Sequence, residues 1–247
     1  MRLPQLFATA LVLVEFSGLG LTSCLPSTNY SVNKENSHSS SGLEVTSTQL
    51  QEIALEEAEY FELIAFGNEF VTNPQTQYVR KWNEDIRIKV MGSPTQEDWQ
   101  TLQIVINELN QLVGDIQIAL DNQNHNLEIY FIPQEKFSQY EPNYVPGNLG
   151  FFFIWWNSNL EINRGKILIS TNQVTQIERS HIIREELTQS LGLMNDAWTY
   201  PDSIFYQDWT EVNQFSELDK VVIRILYSPK IKTGMTQQQV RDILLGY

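Results

Sequence analysis

The chain has a single cysteine and three histidines, and these shortages exclude several kinds of site. One cysteine cannot form an intramolecular disulfide or a cysteine-rich zinc site. The histidines lie too far apart in sequence for a local three-histidine metal motif; they are His38, His125 and His181. Basic residues are also scarce, with 16 Lys and Arg against 30 Asp and Glu and a net charge of −14. Nucleic-acid binding requires a basic surface, so we expect no nucleic-acid partner.

Two catalytic motifs are absent as well. The chain contains neither a G-x-x-x-x-G-K-[ST] phosphate-binding loop nor a G-x-S-x-G nucleophile elbow. Apolar residues make up 42% of its 247 residues, which is enough to fill the core of one large domain or two small ones. We assign one globular domain to residues 49–247 and predict no cofactor.

The first 23 residues have the composition of a bacterial signal peptide. Arg2 precedes an apolar stretch that is short for a membrane span and is interrupted by Glu15. The stretch ends in Leu-Thr-Ser-Cys24, which resembles the lipobox of bacterial lipoprotein signal peptides. The resemblance implies cleavage after residue 23 and a protein anchored by lipidated Cys24 in a bacterial cell membrane or outer membrane, on the extracytoplasmic side. The alternatives are a short anchor helix or a secreted chain with an incidental cysteine.

Residues 24–48 follow with many Ser and Asn residues and few apolar ones. Such a segment cannot bury enough surface to offset the entropy of ordering it. We interpret it as a flexible tether between the lipid and the globular domain.

Hydrophobic periodicity in residues 49–247 predicts an α+β fold with one mixed sheet of about four to five strands. Capping and stop signals predict helices at 49–66, 94–113, 175–191, 216–227 and 236–245. Alternating or continuous apolar runs predict strands in IRIKVMG, DIQIAL, LEIYFIP, GFFFIWW and GKILIST. Prolines make the region around 134–150 a predicted loop.

The stretch IREELTQSLGLMND at 183–196 resembles the active-site helix of metzincin zinc peptidases, especially the matrixin-like ones. Their motif is H-E-x-x-H-x-x-G-x-x-H, often with Leu-Gly-Leu inside it. Glu186 matches the general-base glutamate of that motif, and Gly192 matches its glycine. The segment DSIF at 202–205 stands near the place of the matrixin Met-turn, without a methionine, and a predicted helix ending in Leu-Tyr227 follows as in matrixins.

The zinc-ligand positions of this motif do not hold histidine. Glu185, Gln189 and Asn195 stand at the first, second and third ligand positions. A hydrolytic zinc site needs three protein donors, and neutral amides are weak donors for zinc. The resemblance therefore predicts a domain without bound metal, in which Glu186 is a vestigial general base and peptidase chemistry has been lost.

The segments REELTQSLGLMND, DSIF, LYSP and GM also resemble a bacterial lipoprotein family of unknown function, domain-of-unknown-function family 2927. In that family the Glu-Glu pair and Gln replace the zinc ligands. The resemblance covers roughly residues 75–240 and implies a zincin-like fold and an extracytoplasmic location, with no known activity.

Two functions follow from these observations. The first is a non-catalytic cleft that binds a peptide or protein partner, for example as an added strand along the sheet edge. The aromatic strand at 151–156 would form one wall of that cleft, or would simply be buried on both faces.

The alternative function is a hydrolase with altered chemistry. It would use Glu185 and Glu186 as a carboxylate pair, with Asp196 and Asp202 nearby. A variant of it is an unusual metal site built from residues spaced i, i+4 and i+8 on one helical face, namely His181, Glu185 and Gln189. The charged residues of this helix could also form no more than a solvated face.

Overall fold

The computed structural model of the protein describes residues 47–67 and 78–247, with side chains described from residue 55 onward. The predicted signal peptide, Cys24 and nearly all of the predicted tether lie outside the described residues. The first helix begins at Ser47, within the last two residues assigned to the tether. Among the described residues, no helix is long and apolar enough to cross a membrane.

The described part of the chain contains six helices and six strands, which we number in chain order. The helices are α1 (Ser47–Phe66), α2 (Gln96–Asn110), α3 (Phe137–Tyr140), α4 (Gln176–Gln189), α5 (Glu217–Tyr227) and α6 (Gln237–Leu245). The strands are β1 (Lys81–Trp82), β2 (Ile86–Gly92), β3 (Ile118–Leu120), β4 (Leu127–Ile132), β5 (Gly150–Trp156) and β6 (Glu161–Ser170).

The sheet is mixed, as expected, but its six strands exceed the predicted four to five. β6 pairs with antiparallel β5 along one side and with parallel β1 and β4 along the other. β2 and β3 continue the sheet in parallel beyond β4. The additional strand is β1, which has only two residues and is too short to show an alternating pattern. Within the predicted loop at 134–150, the short helix α3 was also missed.

Strand β5 is buried on both faces. Phe152 and Ile154 belong to the main hydrophobic core, which packs between the sheet and the helices. Phe151 and Phe153 point to the opposite face and form a smaller core with Leu168 and neighbouring residues. This arrangement explains the unbroken apolar run of the strand, because a strand covered on both faces does not alternate.

The turn after α4 is fixed by close contact with the segment that contains β1. The indole Nε1 of Trp82 donates to the carbonyl of Ser190 at 2.9 Å. Gly192 has a φ of +118°, and a Cβ at this position would lie 2.0 Å from the carbonyl oxygen of Arg80. Both the conformation and the contact require glycine here.

We predict that Gly192→Ala lowers the free energy of unfolding far more than Gly147→Ala. Gly147 also has a positive φ, of +110°, but a Cβ there meets nothing within 4 Å. The control should therefore lose only the backbone cost of about 1–2 kcal/mol. Gly192→Ala adds a clash with backbone, so its loss should be larger by several kcal/mol in urea unfolding. Equal losses would show that the contact with Arg80 is not a constraint.

Candidate functional site

Helix α4 is polar in sequence but lies almost entirely inside the protein. Every residue from Glu178 to Gln189 is buried, whereas Ile177 is 55% exposed. Thr175 and Glu178 form a reciprocal capping box that starts the helix. The interpretation of this helix as a solvated face is therefore wrong. Buried charged groups need partners, and these partners come from several elements.

Helix α2 supplies one row of these partners. Arg179 Nε lies 3.1 Å from Asp98 Oδ1, and Asp98 has no exposed surface. One turn further along, the hydroxyl groups of Thr101 and Ser180 are 3.0 Å apart. Arg184 pairs with the carboxylate of Glu108, near the end of α2. These contacts position α4 along its length against α2.

His181 and Glu185 form a buried pair one helical turn apart. The imidazole Nδ1 donates to the carbonyl of Val212 at 2.6 Å, so Nε2 faces Glu185 Oε2 at 3.4 Å. Burial by itself lowers the pKa of His181, but the carboxylate of Glu185 and the Val212 carbonyl outweigh it. The pKa of His181 is raised as a result.

Glu186 is the one acidic side chain of α4 without a partner among the described residues. Its carboxyl group is fully buried, and neither oxygen has a hydrogen-bond partner. Burial, together with the neighbouring charge of Glu185, raises the pKa of Glu186 well above its ordinary range. The carboxyl group packs against Gly150, where a Cβ would lie 2.3 Å from Glu186 Oε1. A glycine at the first position of β5 therefore makes room for this acid.

His181, Glu185 and Glu186 line one small cavity beside the start of β5. Its free space for water centres is about 20 Å³, which is enough for one or two water molecules. The remaining lining residues are Leu149, Gly150, Ile182, Tyr206, Asp208, Trp209 and Thr210. The segment from Tyr206 to Thr210 was missed by sequence reasoning, because nothing local in it signals a contact with α4.

Gln189 and Asn195, at the second and third ligand positions of the metzincin motif, point elsewhere. Gln189 Nε2 donates to Asp196 Oδ1 at 2.6 Å, while Gln189 Oε1 has no partner among the described residues. Asn195 Nδ2 donates at 2.9 Å to the carbonyl of Ile64, near the end of α1. The structure thus brings Glu185 and Glu186 to one cavity, and Gln189 and Asn195 do not line it.

In the segment at the place of the Met-turn, Ser203, Ile204 and Phe205 are fully buried, and Ser203 joins two helices. Ser203 Oγ donates to Asp219 Oδ1 of α5 at 2.5 Å and accepts from the hydroxyl of Tyr60 in α1 at 2.7 Å. Burial raises the pKa of Asp219, although hydrogen bonds from Ser203 and from backbone amides counteract part of this effect. Asp202 lies at this turn and does not line the cavity.

The described residues contain no group of three or more His, Cys, Asp or Glu side chains that could hold a metal ion. In the variant built from His181, Glu185 and Gln189, Gln189 offers only a neutral amide oxygen, which is a weak donor for zinc, and it does not line the cavity that His181 and Glu185 share. The donor set therefore does not fit a zinc ion in either helical register.

The fold and the site define a mixed α/β domain with a buried acidic helix beside an antiparallel edge strand. The chain belongs to the family described as Protein of unknown function (DUF2927), whose model matches residues 55–245. No curated protein matches the chain. Among solved structures, that of Myroilysin is similar at 14% sequence identity, over 65% of this chain and 88% of the Myroilysin chain, with a TM-score of 0.42.

We predict that Glu186→Gln removes a pH-dependent loss of stability. Because the pKa of Glu186 is raised on folding, the native state holds this proton more tightly than the unfolded chain. The wild-type protein should lose stability as pH rises above the ordinary value of 4.5, by about 1.4 kcal/mol for each unit by which the pKa is raised. The Gln variant lacks this contribution.

Urea unfolding at a series of pH values measures the effect. The difference in stability between the Gln variant and wild type should shift in favour of Gln as pH rises from 4.5. A constant offset from burying the amide does not affect this slope. Glu97→Gln, at an exposed position in the first turn of α2, is the matched control and should follow wild type. Parallel curves for wild type and Glu186→Gln would contradict the prediction.

Proposed function

We propose that this protein is a lipid-anchored extracytoplasmic binding protein with a zincin-like, non-catalytic domain. An extended peptide segment of a protein partner would bind as an additional strand along the outer edge of β5. In this proposal helix α4 packs against β5 and does not hold a catalytic zinc ion.

The non-catalytic part of the proposal is supported by the use of the ligand positions. Asn195 holds the end of α1, and Gln189 holds Asp196. Glu186, at the general-base position, has burial and Glu185 acting together to favour its neutral form. A neutral carboxylic acid cannot accept a proton from water as a general base.

The proposal of a peptide ligand is based on the hydrogen bonding of β5. Leu149 accepts from the amide of Ser170, so the alternation of an antiparallel ladder puts Phe151 and Phe153 in hydrogen-bonded pairs with β6. The backbone groups of Phe152 and Ile154 are directed to the opposite edge. Among the described residues, no backbone hydrogen bond joins that edge to another segment. Phe152 and Ile154 are only 2% and 1% exposed, so an added peptide strand must displace the side chains that cover this edge before it satisfies these groups.

We predict an alternating pattern of amide protection when a peptide binds. Full-length protein would be screened on an array of extended apolar peptides, and a bound peptide would then be added in residue-resolved amide exchange measurements. Exchange should slow at Phe152 and Ile154, whose N–H groups face outward. Phe151 and Phe153 are the internal control, because their amides already bond to β6 and should change little.

The two failures of this experiment are distinct. Uniform protection along β5 would indicate general stabilisation instead of strand addition. Protection only at residues outside β5 would place the peptide elsewhere and contradict the proposed site.

Anchoring has a separate test. In a bacterial host that processes lipoproteins, we expect the mature protein to begin at Cys24, to carry acyl chains and to fractionate with membranes. Cys24→Ala should block this processing, because no other residue of the chain carries a thiol. Mass spectrometry of the mature N-terminus measures the modification. An unmodified Cys24 in the membrane fraction would contradict lipid anchoring.

One observation favours a second candidate, a hydrolase with altered chemistry. The carboxyl group of Glu186 has no partner and lines the same cavity as His181 and Glu185. A neutral acid beside a hydrogen-bonded His–Glu pair has the composition of a general acid–base site. Peptide hydrolysis that is lost in Glu186→Gln, at unchanged stability, would favour this candidate over the binding protein.

A further inference from the structure

Basic charge is concentrated in the last 28 residues of this acidic chain. Residues 220–247 contain five of its 16 Lys and Arg residues but only one of its 30 Asp and Glu residues. Lys220 and Arg241 are paired, with Glu217 and Glu62 respectively. Among the described residues, no carboxylate forms an ion pair with the other three, which are Arg224, Lys230 and Lys232.

A polar pocket of about 300 Å³ is lined by Lys232 of this region, by Lys81 of β1 and by Asp115. Lys81 lies at the pocket and donates to the carbonyls of Leu226 at 2.9 Å and Ile231 at 2.7 Å. Burial and the neighbouring charge of Lys232 lower the pKa of Lys81 to about 8, against a smaller opposing effect of Asp115. An anion in this pocket would relieve the repulsion between the two ammonium groups.

An apolar groove of about 330 Å³ adjoins this pocket, and Ser228 lines both. Its walls are apolar side chains of α5 and α6, namely Val221, Ile225, Ile243 and Leu244. Arg224 and Lys230 flank the groove. The arrangement places positive charge and apolar surface side by side, which suits a ligand that has an anionic end and an apolar end.

We propose that this basic face, formed by Val221–Lys232 and Ile243–Leu244 together with Lys81, docks on a bilayer that contains anionic phospholipid. The pocket at Lys81 and Lys232 takes the phosphate of a headgroup, and the adjoining groove takes the beginning of an acyl chain. The rest of the chain has 29 Asp and Glu residues against 11 Lys and Arg residues, so a negative lipid surface repels it and orients the domain. This face shares no residue with the α4 cavity or with β5.

Full-length Cys24→Ala, which cannot be acylated, would be mixed with vesicles of phosphatidylcholine alone or with an equal amount of phosphatidylglycerol. We expect co-sedimentation that is stronger with the anionic vesicles and that weakens as salt is added. Amide exchange should slow in Val221–Lys232 and Ile243–Leu244 only with anionic vesicles. The exchange readout separates the basic face from any insertion of the apolar stretch before Cys24.

Charge reversal at Arg224 and Lys230 tests the contact directly. Each basic residue near an anionic surface contributes enough that Arg224→Glu with Lys230→Glu should weaken association by more than about tenfold. The control, Lys89→Glu with Lys136→Glu, changes net charge equally on β2 and next to α3 and should retain association. Thermal unfolding verifies that both variants are folded. Lys81 stays unchanged because it is buried.

Three results would overturn the proposal. One is equal amide protection of the basic face by neutral and anionic vesicles, and another is an equal loss in the control variant. The third is protection of the basic face by inorganic phosphate or by an acidic peptide but not by anionic vesicles. That outcome would assign the face to a soluble anion or to a protein partner.

Discussion

The burial of the polar helix α4 is the constraint on which the site and much of the fold depend. A buried charged group is costly unless another group compensates it, and α4 carries several in sequence. Asp98 and Glu108 of α2 compensate Arg179 and Arg184, and the Val212 carbonyl fixes the imidazole of the helix. The ion pairs and hydrogen bonds of α4 therefore hold together elements that are far apart in sequence. Glu186 is the exception. Burial and the charge of Glu185 raise its pKa, which favours the neutral acid in place of a charged carboxylate with a partner.

This exception connects the helix to the strand beside it. The neutral acid needs space and gains no hydrogen bond in return, so it fits only where Gly150 leaves room. The same glycine is the first residue of β5, whose outer edge begins at the cavity. The α4 cavity and the edge of β5 thus form one region, while the basic face on α5 and α6 forms another. The proposed peptide site and the proposed lipid-docking face therefore involve different elements of the domain.

Local pattern was enough to predict most elements but not the surroundings of α4. Capping residues and apolar spacing located α2 and α4 to within a few residues, and the apolar run of β5 was recognised as a strand. Strand β1 could not be predicted, because its two residues are too few to show an alternating pattern. The burial of α4 could not be predicted from its own residues, since a charged helix is ordinarily exposed. Its partners on α2 lie more than 70 residues away in sequence, as for Arg184 and Glu108.

The ligand positions show why matching a motif does not determine chemistry. Asn195 is bonded to Ile64 through both its backbone amide and its side chain, and the adjoining Gly67 leaves no space, since a Cβ there would lie 2.9 Å from the Asn195 side chain. An imidazole at position 195 would need that space and would break the side-chain hydrogen bond to Ile64 that holds the end of α1. Introducing histidine at positions 185, 189 and 195 would therefore remove existing contacts as well as add metal donors. The amides of Gln189 and Asn195 bond to Asp196 and to the end of α1, so the packing of α1 and α4 depends on the residues that these positions now hold.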